Sequence, residues 1–89
     1  MHAVVVNLTI DDVNRDNELL GERVVPHASG AAGFVAGYWT RSRGTGLSMV
    51  VFESEEAARA VADQIRSLGL PDDAVTVEGV EVREVVAHA

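Results

Sequence analysis

The sequence predicts an α+β fold in which two helices cover one face of a four-stranded antiparallel sheet, in the chain order β-α-β-β-α-β. Three observations predict it. Four runs rich in β-branched and aromatic residues are spread through 89 residues. Two of those runs flank a tight-turn sequence, Arg43-Gly44-Thr45-Gly46. Two segments with helix-start signals separate the remaining runs. Right-handed crossovers then put both helices on one face of the sheet, the ferredoxin-like split βαβ arrangement.

Residues 2–10 (HAVVVNLTI) are β-branched and nearly continuously apolar, as a strand covered on both faces is. Asp11 and Asp12 supply an N-cap and negative charge for a helix over about 12–29. Its apolar stripe reads Val13, Leu20, Val24 and Ala28, and Pro26 predicts a kink or an irregular last turn. Residues 34–42 and 47–53 form a hairpin; with Gly44-Thr45 as its loop, Trp39 pairs with Val50 and Gly37 with Phe52. Ser54 caps a helix over 55–68, with Glu55 and Glu56 in its first turn and Ala58, Val61, Ile65 and Leu68 on one stripe. Gly69 caps its end and Pro71 stops it. The last strand, 75–87, changes phase at Gly79, which predicts a β-bulge.

A chain of 89 residues is one domain, 1–89, with no room for a second core. At this size folding buries only about 60–65% of the unfolded surface, so disulfides, a metal or a partner chain usually add stability. Cysteine is absent, which excludes disulfides, thiolate metal sites and a Cys nucleophile. His2, His27 and His88 lie far apart without ligand spacing, and His2 with His88 alone makes a poor metal site. No metal or cofactor is therefore expected. A net charge of −7, with arginine as the sole basic residue type, argues against nucleic acid. No apolar run approaches the roughly 20 residues that span a bilayer, and residues 1–6 lack a signal peptide's basic start. A cytoplasmic protein without membrane partners is the expectation.

Alternation along the hairpin divides its residues between two faces. Phe34, Ala36, Tyr38, Leu47, Met49 and Val51 form the set expected to face the helices. Val35, Gly37, Trp39, Arg41, Ser48, Val50 and Phe52 form the other, joined by Ala3, Val5, Asn7 and Thr9 of the first strand. That second set is too apolar to stay wet, so the open face is expected to pair with a second copy of the chain and to hold any ligand pocket. A one-residue slip would exchange the two faces.

The stretch from Pro26 through Gly33-Phe34-Val35-Ala36-Gly37-Tyr38, followed by Met49-Val50-Val51-Phe52-Glu53-Ser54-Glu55-Glu56-Ala57, resembles the antibiotic-biosynthesis-monooxygenase-like family of dimeric α/β-barrel proteins. The resemblance implies a homodimer whose sheets form a barrel around a small-molecule cavity. It also implies either cofactor-independent oxidation of an aromatic or polyketide-like substrate or, as in members without catalysis, ligand binding or a purely structural dimer. The family's haem-degrading branch has a tryptophan where Phe52 stands and a histidine in the second helix, where this chain has none.

The candidate catalytic residues are Asn7, Arg41 and His27, and the candidate pocket consists of Asn7, Trp39, Arg41, Ser48, Val50 and Phe52. Asn7 interrupts an apolar strand, and its amide either binds a substrate oxygen or satisfies neighbouring backbone. Arg41 either receives an anion or pairs with a surface carboxylate. Trp39 either stacks on a ring or packs the interface. His27 is either a base at the pocket mouth or a partner of the helix dipole.

Overall fold

The structure is a computed structural model that describes residues 1–69 and 74–89. Strand β1 (His2–Ile10) leads into a helical segment of three parts: α1 (Val13–Leu19), a π-helical turn (Leu20–Val24) and α2 (Val25–Ser29). Then follow β2 (Phe34–Ser42), β3 (Thr45–Phe52), α3 (Glu55–Leu68) and β4 (Val75–Glu84). The strands form one antiparallel sheet in the order β2-β3-β1-β4, the ferredoxin-like topology. No helix among the described residues is long and apolar enough to cross a membrane.

The helices begin where their caps dictate. The Asp12 carboxylate accepts the Arg15 amide at 3.0 Å, and the Ser54 hydroxyl accepts the Ala57 amide at 3.1 Å. Gly69, at φ +68°, closes α3 by donating its amide to the Ile65 carbonyl at 2.8 Å. Pro71 and the acidic pair 72–73 lie outside the described residues.

Pro26 has no amide hydrogen to continue an α-helical ladder. The expected irregularity comes just upstream of it, where the Val25 amide bonds to the Leu20 carbonyl five residues back. Three residues of the expected stripe, Leu20, Val24 and Ala28, stay on the inner side. Leu19, absent from the expected stripe, is fully buried, while Val13 is exposed.

The sheet departs from its expected register in one place and matches it in another. The hairpin turns at Arg43-Gly44, with Ser42 opposite Thr45, so Trp39 pairs with Ser48 rather than Val50, and Gly37 with Val50 rather than Phe52. That difference of two residues leaves the hairpin's division into faces intact. In β4 the register against β1 shifts between Asn7/Gly79 and Leu8/Val77, the bulge expected at Gly79.

The assignment of those faces to helix and solvent is the reverse of expectation. Val4, Val6, Val50 and Phe52 pack with Ala58 and Ala62 of α3 into the core, with Trp39 against it. Tyr38, Leu47 and Met49 lie on the other face and are exposed. The bulge at Val35 moves Phe34 to the helix side, where its ring meets Phe52 edge-on, centroids 6.4 Å apart. The two alanines of α3 let the helix approach closely enough to cover these rings. Tyr38 and Met49, amphipathic and adaptable, are left outside.

Candidate functional site

The reversal puts the expected pocket residues in two places on opposite sides of the sheet. On the helix side, the first helical segment and α3 do not close completely over β1 and β3. A cavity of about 470 Å³ remains between them. This exceeds the roughly 300 Å³ at which small-molecule sites begin. Its floor is Val4, Val6, Ser48 and Val50 of the sheet, with Trp39 along one side. Its roof is contributed by Leu19, Leu20 and Val24 from the π-helical region and by Val61 and Ile65 of α3. π-turns of this kind recur at functional sites because they re-aim the side chains of one turn.

Trp39 is set in place by the residue two positions before it on the same face. A Cβ on Gly37 would lie 2.5 Å from the indole Cη2 and 2.8 Å from Cζ3, so the ring lies across the bare glycine backbone. Any larger residue at 37 must displace the indole. This gives the cavity a fixed aromatic wall, and Trp39 is the chain's single tryptophan.

Of the expected pocket residues, Trp39, Ser48 and Val50 line this cavity. Phe52 does not; it is wholly buried in the core beside the cavity. His27 lines the cavity from an exposed position in α2. Asn7 lies on the opposite face, in a shallow hollow with Thr40, Thr45, Leu47 and Glu78. Its strand neighbours Leu8 and Val6 point toward the helices, so alternation sends Asn7 away from them. Asn7 and Trp39 therefore cannot act on one ligand within a single chain.

Arg41 is on the helix side but is engaged. Its Nη1 donates to Asp16 Oδ2 at 3.0 Å and to Asn17 Oδ1 at 2.9 Å. Asp16 is buried and lines the cavity, so Arg41 reaches the cavity only through the carboxylate it holds. Arg41 is a positioning residue for Asp16 rather than an anion receptor. Replacing it by methionine leaves Asp16 without its cation in a largely desolvated position. Urea unfolding of the R41M variant is expected to show a loss of about 1–3 kcal/mol.

Asp16, Leu20, Arg23 and His27 form one stripe along the first helical segment, at spacings of four, three and four residues, and all four line the cavity. Gln64 of α3 lines it from the other side. Only His27 of these polar groups was singled out from sequence. The available signal was polar residues set into an apolar helical stripe, which ordinarily marks a solvated helix edge. Among the described residues no group of three or more metal-ligating side chains comes together. His2 Nε2 lies 3.3 Å from Glu55 Oε2 at the start of α3.

No family model matches the chain, and no curated protein matches it in sequence.

Proposed function

We propose that the chain is a small-molecule-binding protein that takes a mainly apolar, ring-bearing compound in the helix-side cavity of each protomer. We propose further that it works as a homodimer joined through the exposed sheet face. One observation carries the ligand reading: a cavity of about 470 Å³ with apolar walls and a tryptophan fixed against Gly37. A half-open apolar cleft of this volume with a few polar groups on its lining has the form of a small-molecule site. A flat ring fits it best, because the indole face and the edges of Val50 and Ile65 offer stacking and dispersion contact.

The dimer reading rests on the other side of the sheet. Tyr38, Leu47 and Met49 form an exposed apolar group around the central strand β3, with no helix above them. A two-fold copy laid face to face would cover them and extend a small core. The interface residues are thus Tyr38, Leu47 and Met49, and Trp39 and Phe52 take no part in it.

The ligand reading is tested by titrating the protein with N-phenyl-1-naphthylamine, a neutral aromatic probe, while following Trp39 emission. Saturable quenching with energy transfer to the probe is expected, with micromolar affinity. Ala28 also lines the cavity, and an Ala28→Phe substitution, which fills part of it, should weaken binding at least about tenfold while circular dichroism stays unchanged. Absence of quenching in the native protein, or equal binding by the filled variant, contradicts the reading.

His27 supports a second, catalytic reading that fits the family resemblance. An imidazole on the cavity lining is placed to take the proton of a bound hydroxyarene. The resulting phenolate reacts with dioxygen, giving a quinone and one water per molecule of each reactant. Oxygen uptake with a hydroxyarene, abolished by His27→Ala, supports this reading. Binding without uptake leaves the protein a non-catalytic binder.

A further inference from the structure

We infer that the ligand is an amphipathic anion, an apolar ring system carrying one carboxylate or an equivalent acidic group, and that Arg23 receives that group at the cavity mouth. The inference rests on the ligand reading above and specifies its chemistry.

The chain has seven arginines in a protein of net charge −7. Five of them are committed within the fold. Arg15 pairs with Glu18, Arg41 with Asp16, Arg59 with Glu55, Arg66 with Asp63 and Arg83 with Glu81. In so acidic a protein carboxylates are plentiful, and pairing is the ordinary fate of a guanidinium. Among the described residues, only Arg23 and Arg43 have no ion-pair partner, and they differ in place. Arg43 is at the hairpin tip, where φ is +56°. Arg23 belongs to the π-helical turn and lines the cavity from an exposed position.

An exposed side chain that also lines a cavity sits at its rim. Arg23 therefore reaches water with one part and the apolar interior with another, the placement that suits the acidic head of a ligand whose body is inside. His27, four residues on, and Gln64 of α3 share this lining and add hydrogen-bonding groups beside it. Leu20, Arg23 and Val24, all within the π-helical turn, line the cavity together. Arg41 is held by Asp16, which is buried in the same lining, so Arg23 is the guanidinium left there to receive a ligand's anion. A guanidinium in this setting receives a carboxylate or sulfonate through two parallel N–H···O bonds.

The test compares two probes with the same aromatic skeleton, 1-anilinonaphthalene-8-sulfonate and neutral N-phenyl-1-naphthylamine, by Trp39 emission. Arg23→Gln should weaken the sulfonate on the order of tenfold, the worth of one charge-assisted hydrogen bond, and leave the neutral probe within about twofold. Arg43→Gln removes the same charge outside the cavity and should change neither. Added salt should weaken the sulfonate alone. Equal affinities of native and Arg23→Gln proteins for the sulfonate overturn the inference, as does an equal loss of both probes. If neither probe binds the native protein, the cavity reading fails and this inference with it. If the neutral probe binds but Arg23 makes no difference to the sulfonate, the inference alone fails.

Discussion

Met49→Glu is expected to convert the proposed dimer into a folded monomer. Met49 is on the central strand β3, opposite Val5 on one side and Tyr38 on the other, at the middle of the helix-free face. In a two-fold interface the substitution enters twice, and the two carboxylates face the same desolvated patch. Burying an unpaired charge costs several kcal/mol, so the dimer dissociation constant should rise more than about a thousandfold. The monomer itself should survive, because Met49 is already 42% exposed within one chain. Sedimentation velocity across a concentration series reads the mass, and circular dichroism reads the fold. A native protein that is monomeric at every concentration, or a variant that stays dimeric, contradicts the assignment of this face.

The second large effect is expected at Phe52. Its side chain is wholly buried among Val4, Val50, Ala58 and Ala62, and its ring meets Phe34 edge-on. Truncation to alanine removes that burial and leaves a void that alanine neighbours cannot collapse to fill. The loss should be about 3–5 kcal/mol. For a domain of this size that is a large share of the whole stability, which typically lies at about 5–15 kcal/mol. The comparison with Met49→Ala sharpens the result. If the faces are as described, that substitution costs the isolated protomer less than about 1 kcal/mol, since Met49 is half in solvent there. Urea unfolding of both variants at a concentration below dimer formation makes the comparison. Similar losses at the two positions would mean that both faces are covered within one chain.

Most of the fold was legible in the sequence. Strands β1 and β2 and helix α3 begin and end where capping, turn and β-branched signals place them. The bulge in β4 was legible because Gly79 breaks a period-two pattern. What was not legible was which face of the sheet the helices cover. Both faces of the hairpin are apolar, so alternation separates two sets without ranking them. The ranking comes from packing at a distance in sequence: Ala58 and Ala62 admit the rings of Phe52 and Phe34, and Gly37 admits the indole of Trp39. The bulge at Val35, which carries Phe34 across, has no glycine to announce it.

The site was legible in part for the same reason. Alternation places Trp39, Ser48 and Val50 on one face whichever way it points, and the three line the cavity together. Asn7 was joined to them across two strands and fell on the wrong side, since the pairing of β1 with β3 was unconstrained. The roof was the least accessible part. Leu20, Val24 and Ala28 line it as the stripe predicts, but Arg23 on the same lining and the π-turn from Leu20 to Val24 were not foreseen. No local propensity marks such a turn. It accommodates Pro26 inside a helix that tertiary packing keeps intact.

The separation of the two faces has a direct consequence for binding. The cavity is lined by residues of a single chain, whereas the apolar sheet face lies on the far side of β1 and β3. The deciding measurement is a titration of monomeric Met49→Glu with N-phenyl-1-naphthylamine, followed by Trp39 emission. The expected result is saturable quenching with an affinity within about twofold of the native protein's. Loss of probe binding in a monomer that keeps its circular dichroism would place the ligand at the interface between copies and contradict the helix-side site.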